Sequence, residues 1–224
     1  MVAKGVRNTS GISFQKYNNQ YIKYIVNVGQ DLVESVFAFT NYRSIPVTEL
    51  VQHSVINQEG FVNFGWRAWE GAFATSMRKI CSTNSDLNEK VIVYYDEAIK
   101  TSPYRLEPLT SSFHDDNRSD KYKATALTGV QPYMGHEIPD LTGSIIFSDL
   151  VRSGENKGVL AYTKGGIDHP NDFSVIEVDH DFGTESAFYI CLGANINQSK
   201  LYLGVYGSMK VNDFNQGSIF EIIS

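Results

Sequence analysis

Residues 61–80 read FVNFGWRAWEGAFATSMRKI, and both tryptophans of the chain, Trp66 and Trp69, fall inside this stretch. In an extended chain, side chains alternate between two faces. Phe64, Trp66, Ala68, Ala72 and Ala74 then share one face, and Phe61, Arg67, Trp69 and Phe73 the other. Apolar residues on both sides describe a strand covered twice, in a sandwich interior or against another chain. Gly65 and Gly71 interrupt it where a bend or a close backbone approach is cheap. Two glycines and many large rings disfavour a helix. The stretch is therefore predicted as the central strand of a β-sandwich.

The surrounding composition agrees. At 224 residues, 42% apolar and 20% charged, the chain can bury a substantial core as one domain. Its 13 Tyr and 13 Phe favour strands. A net charge of −6 with no basic run does not suit strong phosphate neutralisation, so tight nucleic-acid binding is not expected. No apolar run reaches 18 residues, and the opening MVAKGVRNTSG lacks the apolar core of a signal peptide. A soluble protein made inside the cell is expected, with Cys81 and Cys191 as buried free thiols.

Upstream, residues 1–20 are polar and read as an extended arm, leaving 21–224 as a single domain. Residues 21–28 (YIKYIVNV) read as a strand. From Asp31 the period changes: Leu32, Val36 and Phe39 fall at helical spacing with Asp31 and Glu34 in the first turn, so a short helix is predicted. Residues 47–56 are ambiguous. Downstream, KVIVYYD (90–96) is a strongly β-forming run that could form a hairpin with residues 73–80. Residues 102–123 form a long polar segment and the best candidate for a surface protrusion. Residues 124–139 read as extended chain broken by glycine and proline. Further strands are predicted at 144–147, 158–162, 173–178, 186–192 and 201–206, with an edge strand at 218–223. The fold class is all-β: an antiparallel β-sandwich of jelly-roll type with one or two short helices.

Chemistry is sparse. His53, His114, His136, His169 and His180 share no metal-ligand spacing. Asp181-Phe182-Gly183 matches a kinase tripeptide without the other kinase signatures, and no nucleophile elbow exists for a serine triad. The acidic tip His114, Asp115, Asp116, Asn117 and Asp120 offers hard oxygen ligands but lacks the glycine and distal glutamate of a calcium loop; a solvated surface loop fits it better. Asn8, Asn117 and Asn197 head glycosylation sequons that mean nothing without a secretory route. Gly165-Gly166 precedes no helix and is no phosphate loop. No enzyme activity, metal or cofactor is expected.

Four segments, in order, resemble the capsid proteins of picorna-like positive-strand RNA viruses, particularly their arthropod and marine branches. VGQDLVESV (28–36) resembles a helical "GE-x-x-x-S-hydrophobic-R" segment, with Gln30 where Glu is usual. FGWRAWEGA (64–72) resembles an "F-x-x-W-R-G-S" strand with extra residues between Arg67 and Gly71. GHEIP (135–139) is similar to a "V-E-V-P-Y" strand, with Asp140 in place of the aromatic. ESAFYICLGA (185–194) is similar to a last jelly-roll strand ending "F-x-F-x-L-G-A-P", with Asn195 for the proline. The resemblance implies a coat protein that assembles with copies of itself and related jelly rolls into an icosahedral shell around RNA, in a virion formed in host cytoplasm. Partners would be other capsid subunits, weakly the genomic RNA through Lys4, Arg7 and Lys16, and a host receptor at the 102–123 loop. Trp66, Trp69, Tyr104 and Tyr133 are then interface candidates. The competing class is a carbohydrate-binding β-sandwich, in which aromatics stack on sugars.

Overall fold

The computed structural model describes residues 3–17, 19–40, 62–66, 69–74, 106–114, 121–165, 172–210 and 213–224. Along the chain the strands are β1 (Ala3–Lys4), β2 (Gly11–Tyr17), β3 (Gln20–Asn27), β4 (Val33–Thr40), β5 (Val62–Asn63), β6 (Trp69–Glu70), β7 (Phe73–Ala74) and β8 (Thr110–Phe113). There follow β9 (Leu127–Pro132), a single 3-10 turn at Pro139–Leu141, β10 (Ser144–Asp149), β11 (Val159–Lys164), β12 (Phe173–Ile176), β13 (Phe188–Ala194), β14 (Leu201–Tyr206) and β15 (Gly217–Ile222). The chain is all-β, as its aromatic and β-branched content predicts.

Three antiparallel sheets carry the structure: a front sheet β2-β3-β4-β8, a middle sheet β12-β11-β10-β9 and a back sheet β13-β14-β15. Within them, all pairings except β4–β8 join strands consecutive in the chain. The described ladders are meanders, and Greek-key crossings of a jelly roll are not among them.

At β10 the middle sheet is buried on both faces. All six residues of β10, SIIFSD, are buried, and alternation sends successive side chains to opposite layers. Ile145 and Phe147 meet Tyr24, Val26, Val36 and Ala38 of the front sheet. Ile146 joins Leu160 against Leu192, Leu201, Leu203 and Val205 of the back sheet. A third cluster covers the outer face of the front sheet, where Phe64 sets its ring edge-on to Phe37 at 4.8 Å and Phe39 at 5.8 Å, with Val62 and Leu106 alongside. Each such side chain contributes about 1.5–3 kcal/mol relative to exposure.

Several expectations are corrected here. The stretch at 61–80 is not a central strand: its described part is short ladders, because Gly65 (φ +89°) and Gly71 (φ +55°) take left-handed backbone that turns the chain. Its Val62 and Phe64 cover the front sheet from outside, and the twice-covered strands are β4 and β10. The helix predicted from Asp31 is strand β4. Its apolar run is compatible with either period, and ladders to β3 and β8 decide it. Residues 11–17, read as part of an arm, pair with β3 across the full length of β2. Residues 135–139 form a bend leading into the 3-10 turn and not a strand, and β13 is followed by two more strands of its own sheet. Cys191 is a free thiol but exposed, because it lies on the outer face of β13. The strands predicted at 21–28, 144–147, 158–162, 173–178, 186–192, 201–206 and 218–223 correspond to β3 and β10–β15. Residues 47–56, 90–96 and Cys81 lie outside the described residues.

Strand β9 is where the three sheets converge. A β-carbon on Gly129 would stand 2.6 Å from the Leu192 backbone nitrogen of β13, and one on Gly11 of β2 would stand 3.0 Å from the Gly129 α-carbon. Thr128 Oγ1 donates to the Tyr189 carbonyl at 2.7 Å, and Ser10 Oγ donates to the Leu127 carbonyl. The glycines are needed for space, since backbone cannot retreat as a flexible side chain would. Gly129→Ala is expected to destabilise the fold by about 1–3 kcal/mol through overpacking, read as a lower urea midpoint at unchanged slope.

Candidate functional site

The most unusual group in the interior is Glu34. It sits in β4 among apolar neighbours, on the face turned toward the middle sheet, and is fully buried. An isolated carboxylate there would be prohibitive, so its oxygens must be matched. Oε1 accepts from the Gly29 amide at 3.1 Å and lies 2.7 Å from His114 Nε2; Oε2 accepts from the Leu127 amide at 2.9 Å. One side chain thus ties the β3–β4 turn, the end of β8 and the start of β9 together across two sheets.

Two further carboxylates flank it. Glu70 of β6 accepts from the Asp31, Leu32 and Val33 amides at 2.7–3.3 Å, holding the β3–β4 turn from its other side. Asp149, at the end of β10, accepts from the Thr125 amide at 3.0 Å, its hydroxyl at 2.7 Å and the Ala126 amide at 2.9 Å. Burial pushes both Glu34 and Asp149 above the usual carboxylate range, more than their hydrogen bonds offset. Burial alone would depress His114, but the bond to Glu34 and the fields of Glu34, Glu70 and Asp149 outweigh it and hold the imidazole above its ordinary value. Tyr122, buried beside Asp149, is raised well above the ordinary phenol, by burial first and then by Asp149.

This cluster can store a proton, and its geometry does not supply a nucleophile. The Ser35 and Ser111 hydroxyls face each other at 3.2 Å. No group of three or more metal-ligating side chains occurs among the described residues.

The second candidate feature is exposed apolar surface. On β2, Ser13 and Gln15 point inward while Ile12 and Phe14 are about half exposed on the outer face, beside Tyr21 of β3. On the opposite side of the stack, β15 alternates Phe220 and Ile222 inward with Ile219 outward, and Ile219 and Ile223 are more than two-thirds exposed. Apart from both, a cavity of about 150 Å³ is lined by Arg152, Glu155, Lys157, Glu177, Val178 and Tyr189. The Tyr189 hydroxyl, buried and without a hydrogen-bond partner among the described residues, is pushed up to about 12 by burial and then by Glu177.

The residues singled out from sequence do not gather in one place. Trp66 and Trp69 are half-buried at the turns flanking β6 and in it; the Trp66 indole nitrogen is buried with no hydrogen-bond partner among the described residues. Tyr133 is an interior residue, 1% exposed, and its hydroxyl accepts from the Ile138 amide at 3.0 Å, so within this chain it is core and presents no surface. His114, expected on a solvated tip, is turned inward onto Glu34. Tyr104, Asp115, Asp116, Asn117 and Asp120 lie outside the described residues. The sequence signal for Glu34 and Asp149 is that each is the one acidic residue of a strand whose described residues are almost all buried.

No protein-family model matches the chain, and no characterised protein matches it at a significant level.

Removing Glu34 leaves two buried amides and an imidazole unmatched. Glu34→Ala is expected to cost about 3–5 kcal/mol of unfolding free energy. Glu34→Gln is expected to cost clearly less, because its amide oxygen still accepts the Leu127 N–H. Chemical denaturation of the two variants checks the order.

Proposed function

We propose that this chain is a structural subunit that assembles with copies of itself, of the coat-protein kind that its four sequence segments resemble. The observation that carries the reading is the pair of exposed apolar surfaces on opposite sides of the stack: Ile12 and Phe14 on the outer face of the front sheet, Ile219 and Ile223 at the back. Large apolar side chains exposed together mark interaction surfaces. Two different surfaces facing opposite ways favour head-to-tail contacts, which close into rings or shells, over a two-fold dimer that uses one patch twice. The described sheets share three packed apolar clusters, which suits a building block. A mildly acidic chain with net charge −6 fits a shell whose RNA is held by few contacts. Jelly-roll topology, membership in a virion, contact with related coat subunits and recognition of a host receptor belong to this proposal; the surface protrusion expected at 102–123 does not hold over 106–113, where Leu106 and Leu109 are buried and Thr110–Phe113 is strand β8 of the front sheet.

The carbohydrate-binding alternative has one observation in its favour: the cavity at Tyr189, where charges of both signs and a buried, unmatched hydroxyl surround a space of about 150 Å³.

Purified chain is expected to elute as particles or rings far larger than its 25.1 kDa mass, visible by negative-stain electron microscopy. The double variant Ile12→Lys/Phe14→Glu is expected to return it to monomer with its melting temperature within a few degrees, since neither side chain is in the core. A wild-type chain that stays monomeric at high concentration while binding a glycan on an array would replace the coat reading with the carbohydrate one.

A further inference from the structure

We propose that Glu34 and His114 form a proton-operated latch that holds the front sheet to the start of β9 while the pair retains one proton, and loosens that end of the sandwich when the proton leaves. This does not depend on the assembly reading. The carboxylate is fully buried, while the imidazole is 21% exposed and is therefore the route to solvent. Glu34 receives bonds from three separate parts of the chain, at Gly29, His114 and Leu127. With one proton shared, the pair is neutral overall, whichever atom carries it. Without that proton, a net negative charge stays in the interior, and the only groups of matching sign are adverse. Glu70 of β6 approaches through the β3–β4 turn and Asp149 faces it from β10. Tyr122, before β9, is a buried phenol beside Asp149 and brings no cation, and Asp31 of the turn is a further acid. His114 is the cationic group bonded to Glu34, while the Arg7 guanidinium sits nearby on the Val28 carbonyl.

The direction of the pH effect follows. His114 titrates above the ordinary 6.5 in the folded chain, so the folded state binds more protons than the unfolded one and stability falls as pH rises through the folded value. Glu34 and Asp149 are also raised, so their contributions are full below the ordinary 4.5 and 3.8 and are lost as pH rises through their folded values. All three act the same way. The opposing shift at Asp172, lowered by its hydrogen bond to Lys121, acts below 3.8, and Lys200, raised by its bond to Glu221, acts above 10.5. Between those limits the latch and Asp149 act in the same direction.

The test is amide exchange by NMR from pH 5.5 to 8.5, corrected for intrinsic rates, together with the His114 ring titration. Protection at Leu127 and Gly29 is expected to fall about tenfold for each pH unit climbed between the ordinary histidine value and the raised one, while core amides such as Ile146 change less. His114→Gln, which keeps a neutral donor, is expected to remove the part of the pH dependence that tracks the imidazole, leaving only the part that belongs to Glu34 itself and lower protection than the wild type once that carboxyl ionises. A His114 midpoint at or below 6.5, or Leu127 protection equally pH-dependent in wild type and His114→Gln, would overturn the latch. The wild-type ring titration decides the matter even if the variant fails to fold.

Discussion

A sheet with both faces in the interior has nowhere to send a polar group, and the middle sheet of this protein is such a sheet at β10. Where β9 and β10 are buried, their polar groups are matched mostly inside the chain, the Ser144 hydroxyl being an exception among the described residues. Ser148 and Thr128 meet across the β9–β10 ladder at 2.9 Å, and Thr128 passes a further bond to β13. Asp149 satisfies the bend ahead of β9, and Glu34 satisfies the Leu127 amide from the front sheet. The polar interior follows from the layering: a three-sheet stack needs matched acids at its seams, where a two-sheet sandwich could leave those ends in water.

Matching acids by amides and one imidazole has a consequence for charge. Glu34, Glu70 and Asp149 converge on the region where β3, β4, β8 and β9 meet, with His114 as the cationic group bonded to Glu34. Buried polar clusters of this kind add little net stability against an apolar alternative of the same shape, but they fail badly when one member is missing. They also give geometry that apolar packing lacks. Glu34 reaches the turn before its own strand and two segments distant in sequence, which fixes how the front and middle sheets meet there.

The outer faces obey a different rule. With the middle sheet supplying both cores, the front and back sheets each have one face left over. Phe37, Phe39, Val62 and Phe64 cover part of the front one. Ile12 and Phe14, farther along the same face, and Ile219 on the back remain exposed. Surface of that kind, next to cores already closed, is what the proposed assembly would bury.

From the order of residues alone, the β class and strands β3 and β10–β15 were legible, because β-branched and aromatic runs bounded by Gly, Asn and Asp depend only on local backbone preference and turn chemistry. The acids at Glu34 and Asp149 were visible in their strands but not their partners, since His114 and Leu127 lie 80 and 93 residues from Glu34 in the chain. Where each strand sits was decided by tertiary structure. An apolar run such as VESVFAF satisfies a helical and an extended period equally, and only the ladders to β3 and β8 make it a strand. Likewise the tryptophan-rich stretch has the composition of a core strand, yet two glycines with left-handed backbone fold it into an outer cover. Alternation tells how many faces are apolar; what lies against each face is a property of the whole chain.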